Sequence, residues 1–168
     1  MEQQDNTIRI HITEEDYWHL NKTAILKMYG IGMLIAVVAL PILMTVIFMQ
    51  MGRSLTYSII ASLLLSAFVD IYTYLRTKGK IKKLARQSKG ILGDQQLEIT
   101  ASEIRWSNDM TSGTTQWQGL ESFQETKAYY FIFINKASAH IIPKRSFQTE
   151  VEAADFARQV RTYMQAAK

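Results

Sequence analysis

The stretch MYGIGMLIAVVALPILMTVIFMQMG, residues 28–52, contains 25 consecutive residues without a charged side chain. A second apolar stretch, residues 54–75, follows Arg53 and contains a single charged residue, Asp70. An α-helix rises about 1.5 Å per residue, so about 20 apolar residues cross a hydrocarbon core of about 30 Å. The first stretch also lacks the polar face of a helix in a soluble bundle. We therefore predict two transmembrane helices, at about 29–51 and 55–75, joined as a hairpin by a short turn.

A hairpin places both chain ends on one side of the membrane, and the basic residues predict which side. The turn between the spans contains only Arg53. Seven basic residues with no acidic residue among them follow the second span: Arg76, Lys78, Lys80, Lys82, Lys83, Arg86 and Lys89. By the positive-inside rule, we predict a multi-pass protein of the cell (inner) membrane with both termini cytoplasmic.

These seven residues also explain the net charge of +4, because the remaining chain has 12 basic and 15 acidic residues, a net charge of −3. The positive charge is thus concentrated at the membrane edge, where it is expected to contact the anionic surface of the lipid bilayer. It is not spread over a domain as in a nucleic-acid-binding protein, so no nucleic-acid partner is expected. The chain has no cysteine, and its three histidines lack metal-ligand spacing, so no metal is expected.

The chain is predicted to consist of four segments. Residues 1–28 form an N-terminal strand and a cytoplasmic helix, 29–75 the transmembrane hairpin, 76–89 a basic juxtamembrane connector, and 90–168 a C-terminal domain. In the first segment, residues 7–12 alternate with the period of a strand, and Thr13-Glu14-Glu15-Asp16 is typical of a helix start. The N-terminal strand is expected to add an edge strand to the domain's sheet or to pack its helix against it.

The C-terminal domain shows the pattern of short strands followed by one helix. Strands are predicted at 95–100, 103–107, 115–117, 120–125, 128–135 and 139–143, with a turn at 107–115. The strand at 128–135 is apolar on both faces and is expected to be covered on both sides. Thr149 to Glu152 form a capping box that starts a final amphipathic helix. We predict an α+β fold in which a curled antiparallel sheet or barrel is capped by this helix.

The domain resembles the C-terminal domain of the YcxB-like protein family over about residues 89–164. The resemblance is carried by Trp117, Leu120, Glu125, the strand at 129–134 and the string IIPKRSF at 141–147 before an acidic helix start. It implies a pleckstrin-homology-like (PH-like) fold in a bacterial membrane protein and brings no catalytic motif.

Three groups of residues are candidate sites. Asp70 is a carboxylate inside a predicted span, which suggests an ion or proton role or a specific partner. With Ser58, Ser62 and Ser66 it forms a polar band at spacing four, for which helix packing within the hairpin or between copies is the preferred interpretation. The seven basic residues are the second group. Lys144 and Arg145 are either a ligand-facing pair, as in lipid-binding PH domains, or a solvated turn.

The sequence predicts no enzyme, because no glycine-rich phosphate loop, nucleophile elbow or paired-carboxylate motif is visible, and no cofactor is expected. The expected function is that of a non-enzymatic membrane protein presenting a cytoplasmic PH-like module to a protein partner, a second copy or the membrane surface. The alternative is an accessory subunit of a transport or secretion complex that is recognised through its hairpin.

Overall fold

Two long helices precede most of the strands in the computed structural model, which describes residues 7–167. Strand β1 (Thr7–Ile12) leads into helix α1 (Glu14–Gln50), and helix α2 (Leu55–Gln87) follows it. The remaining elements are β2 (Gly93–Ile99), β3 (Glu103–Asn108), β4 (Ser112–Gln116), β5 (Ser122–Glu125), β6 (Tyr129–Phe133), β7 (Ala139–Pro143) and α3 (Glu150–Ala166).

The strands form two antiparallel sheets, with orders β1-β2-β3-β4 and β5-β6-β7. Within residues 7–167 they do not close into a barrel. The α+β prediction is therefore confirmed, whereas the prediction of a single curled sheet or barrel is wrong. The chain passes from one sheet to the other through a 3₁₀ turn at Trp117–Gly119. Trp117 is buried there, and its Nε1 donates to the Thr100 carbonyl at 2.9 Å.

The turn predicted at 107–115 is shorter in the structure, because β3 extends to Asn108 and the edge strand β4 begins at Ser112. The turn itself is short, since Asn108 Oδ1 accepts hydrogen bonds from the backbone N–H groups of Met110 at 2.9 Å and Thr111 at 2.8 Å. The residues of β4 are small and polar and alternate between exposed and half-buried positions. A polar edge strand of this kind has the composition of a loop, which explains the error.

Strand β1 pairs with β2 as the edge of the first sheet, with Ile12 opposite Gly93 and Thr7 opposite Glu98. The expectation that the N-terminal strand adds an edge to the domain's sheet is therefore confirmed. In chain order, α1 and α2 lie between two hydrogen-bonded strands. The chain divides into two compact units: the hairpin unit, Ile25–Ile81, and the globular unit, which comprises the residues up to Ala24 and from Lys82 onward.

The core of the globular unit surrounds β6, all five residues of which are buried. One face of β6, with Tyr130 and Ile132, packs into a core shared by both sheets and α3. The other face, with Tyr129, Phe131 and Phe133, packs against two residues of α1, Leu20 and Ala24. The prediction that this strand is covered on both sides is confirmed, and the start of α1 supplies one of the covers.

The hairpin unit consists of the long apolar parts of α1 and α2. Gly52 joins them in the left-handed region, with φ at 78°, and Arg53 N–H donates to the Phe48 carbonyl at 3.2 Å, as in a Schellman motif. The hydroxyls of Thr45 and Ser62 lie 2.6 Å apart and connect the two helices. Both helices are long and apolar enough to span a membrane.

Candidate functional site

The acidic start of α1 is held by several side-chain hydrogen bonds within the globular unit. Asp16, whose side chain is 1% exposed, accepts hydrogen bonds from Thr13 N–H at 2.7 Å and from Tyr129 Oη at 2.8 Å. Arg145 donates to both of its oxygens, from Nη1 at 2.8 Å and from Nη2 at 2.6 Å, and Arg145 Nη2 also donates to the His11 carbonyl at 3.1 Å. We call Asp16, Thr13, Tyr129 and Arg145 the Asp16 network.

These bonds decide the protonation states in the network. Burial raises the pKa of the Asp16 carboxyl, but the hydrogen bonds from Arg145, Thr13 and Tyr129 outweigh burial and lower that pKa from 3.8 to about 2. Burial, together with the hydrogen bond to Asp16 and its charge, raises the pKa of Tyr129 to about 12. At neutral pH a buried carboxylate therefore binds a guanidinium and a neutral phenol. Such a set of bonds holds chain segments together.

The network joins parts of the chain that are far apart in sequence. Asp16 begins α1, Tyr129 begins β6, and Arg145 lies in the 3₁₀ turn Lys144–Ser146 that follows β7. The sequence identified Asp16 only as part of a helix start, and the structure confirms that Asp16 N–H and the Thr13 hydroxyl lie 3.3 Å apart, as in a cap. The pairing with Arg145, 129 positions away, was missed because a single sequence contains no signal for it.

Lys144, the neighbour of Arg145, is also bonded within the chain. Its Nζ donates to Glu125 Oε1 at 2.7 Å and lies 4.6 Å from the centre of the Tyr130 ring. Arg161 donates to the other Glu125 oxygen at 2.5 Å. The bond from Lys144 lowers the pKa of Glu125 against the opposing effect of burial, and Arg161 adds to the lowering. An anionic ligand at Lys144 or Arg145 would have to compete with a carboxylate already in place.

Among the seven basic residues that follow the apolar part of α2, Lys82 and Arg86 pair with the start of α1. Arg86 donates to both oxygens of Glu14, at 2.5 and 2.8 Å, and Lys82 forms an ion pair with Glu15. Because α2 continues to Gln87, the segment predicted as a basic connector is helical over most of its length. Arg76, Lys80, Lys83 and Lys89 are exposed.

The polar band of α2 lies in the hairpin unit. Ser58 and Ser62 are fully buried and Ser66 is 4% exposed. Ser58 donates to the Ser54 carbonyl at 2.9 Å, whereas Ser66 Oγ has no hydrogen-bond partner among residues 7–167. Asp70 is half-buried, and within the described part of the chain it makes neither a hydrogen bond nor an ion pair. The three serines are therefore buried in the hairpin unit, and Ser62 contacts α1 through Thr45.

Comparison with known protein families supports the resemblance seen in the sequence. Residues 99–159 match the family model described as YcxB-like protein. No curated protein and no solved structure matches the chain. The matched range contains β3 to β7 and the beginning of α3, and with them Glu125, Tyr129, Lys144 and Arg145. The chain therefore carries a YcxB-like region at residues 99–159, as its sequence indicated.

Proposed function

We propose that this protein is a non-enzymatic bacterial inner-membrane protein in which α1 and α2 cross the membrane and the globular unit is a cytoplasmic PH-like module. The module binds a protein partner or the membrane surface. The single observation that carries the proposal is that the hairpin lies, in chain order, between the paired strands β1 and β2. The proposed membrane anchor is therefore inserted within the sequence of the module.

Exposed apolar side chains support the membrane assignment. In the most apolar 18-residue part of α1 no residue is buried, and in that of α2 17% are. Large side chains such as Ile31, Leu34 and Phe68 are 66 to 80% exposed. Proteins in water rarely expose contiguous apolar patches beyond a few hundred Å², so these helices fit a hydrocarbon solvent.

The pairing of β1 with β2 supports the hairpin topology independently of helix length. Ile12 and Gly93 are opposite each other in the sheet, so they lie on the same side of any membrane. The chain between them must cross an even number of times, and two spans satisfy this condition. The seven basic residues favour the cytoplasm as the side of the module.

The strand arrangement supports the PH-like assignment, since a four-stranded and a three-stranded antiparallel sheet are followed by a C-terminal helix. Glu14, Glu15 and Asp16 bond to the end of α2 and to the turn after β7. A partner that binds the sheets would therefore act on residues connected to the ends of both long helices.

In-cell photocrosslinking tests the binding role. A photoreactive amino acid replaces the exposed residue Gln118 in the module or Phe68 in the hairpin. We expect protein adducts from position 118, identified by mass spectrometry. Adducts from position 68 alone would support the accessory-subunit alternative, in which the hairpin is recognised and Asp70 contributes to that contact.

A further inference from the structure

The basic residues of helix α2 lie on two different sides of that helix. Successive residues are rotated by about 100°. Lys82 and Arg86, four positions apart, form one stripe, with Lys78 on the same side. Arg76, Lys80 and Lys83 form a second stripe, which is rotated by roughly 130° from the first. The sequence alone had grouped all of them as one membrane-surface segment.

The first stripe already has its counter-charges, because Lys82 pairs with Glu15 and Arg86 with Glu14. The second stripe does not. Arg76, Lys80 and Lys83 are exposed, and within residues 7–167 none of them forms an ion pair with a carboxylate. We call Lys82 and Arg86 the paired stripe, and Arg76, Lys80 and Lys83 the unpaired stripe.

The unpaired stripe begins where the apolar part of α2 ends. Arg76 follows Leu75 directly, and its guanidinium lies over the ring of Tyr72 at 6.0 Å from the ring centre. Tyrosine is enriched at the boundary between hydrocarbon and headgroups. Along the helix axis, Lys80 is about 6 Å and Lys83 about 10 Å beyond Arg76. The headgroup layer of one leaflet is about 5 to 8 Å thick, so long basic side chains at these heights can reach it.

We propose that the unpaired stripe binds the anionic headgroups of phospholipids and that the paired stripe does not. This inference rests on the proposed membrane insertion of α2. The attraction comes from charge complementarity, since each unpaired Lys or Arg faces a phosphate-bearing surface without an internal carboxylate to satisfy first. The carboxylates of Glu14 and Glu15 already neutralise the paired stripe.

The test uses two variants of the full chain that each lose two positive charges. Lys80→Gln/Lys83→Gln alters the unpaired stripe, and Lys82→Gln/Arg86→Gln alters the paired stripe. Each protein is purified in detergent with equimolar phosphatidylglycerol and phosphatidylethanolamine, and native mass spectrometry measures the ratio of the two lipids that remain bound. We expect the first variant to lower the phosphatidylglycerol preference at least about fivefold, while the second stays within about twofold of the wild type.

A similar loss in both variants, or no loss in the first, would overturn the inference. Lys80→Arg/Lys83→Arg keeps the charge and should keep the preference, which separates lost binding from misfolding. Carbonate extraction of the wild type tests the membrane assignment separately. A chain that leaves the membrane contradicts the proposed function itself, whereas a chain that stays but shows no phosphatidylglycerol preference contradicts only the lipid assignment.

Discussion

Replacing the buried carboxylate of the Asp16 network should destabilise the globular unit in a pH-dependent way. Asp16→Asn keeps the size of the side chain but removes the charge that Arg145 and Tyr129 bind. The pKa of Asp16 is lowered from 3.8 to about 2, and one pKa unit corresponds to about 1.4 kcal/mol, so the carboxylate contributes about 2 kcal/mol to the free energy of unfolding.

The sign of the pH dependence follows from this lowered pKa. The contribution is fully present above the unfolded pKa of about 4 and is lost as pH falls through the folded pKa of about 2. We expect Asp16→Asn to lower the free energy of unfolding by about 2 kcal/mol at pH 7, and the difference from the wild type to disappear towards pH 2.

Urea unfolding in detergent micelles measures this effect. The three tryptophans, Trp18, Trp106 and Trp117, all lie in the globular unit, so their fluorescence reports its unfolding. The control is Asp109→Asn, which removes an exposed carboxylate in a turn. The reasoning is refuted if Asp16→Asn is as stable as the wild type at pH 7, or if the difference between them is the same at pH 7 and at pH 2.

Three further substitutions test the globular unit, two of them its packing and the third the titration of a buried histidine. Gly113→Ala would bring a Cβ atom to 2.7 Å from Trp106 Cζ2, and we expect it to lower the free energy of unfolding by about 1 to 3 kcal/mol. Leu20→Ala removes part of the side-chain packing over β6, and we expect it to lower the free energy of unfolding by about 3 kcal/mol. Burial lowers the pKa of His140 from 6.5 to about 4, so between pH 7 and pH 5 the unfolded chain takes up a proton that the folded chain does not. We therefore expect the free energy of unfolding of the wild type to fall by about 2 kcal/mol between pH 7 and pH 5. His140→Phe should not show this fall.

Matched controls accompany the two packing substitutions in the same unfolding assay. Gly119→Ala adds a methyl group where no atom lies within 4 Å, and Val151→Ala shortens a side chain that is 70% exposed. Neither control should change the stability by more than about 0.5 kcal/mol. If Gly119→Ala costs as much as Gly113→Ala, the cost does not come from the contact with Trp106.

The structural elements that depend on residues close together in the chain were predicted well from the sequence. The two long helices follow from the length of their apolar stretches, and the tight reversal follows from Gly52. Helix α3 begins where its capping box places it, with the Thr149 hydroxyl accepting from Glu152 N–H at 3.1 Å. These features depend on residues that are close together in the chain.

The features that were missed depend on residues that are distant in sequence. Leu20 and Ala24 cover β6, but in the sequence they stand next to polar residues such as Lys22 and have no pattern of their own. Asp16 looks like any capping residue until Arg145 is placed beside it. The partition of the basic residues of α2 became visible only once Glu14 and Glu15 were found opposite Arg86 and Lys82.

Cysteine accessibility tests the central claim, that a membrane hairpin is inserted between two paired strands of a cytoplasmic module. The chain has no native cysteine, so Ser54→Cys in the turn and Gln118→Cys in the module each provide a unique label site. A membrane-impermeant maleimide applied to intact spheroplasts should label position 54, and it should label position 118 only after the membrane is permeabilised. Labelling of position 118 in intact spheroplasts, or of position 54 only after permeabilisation, would contradict the account.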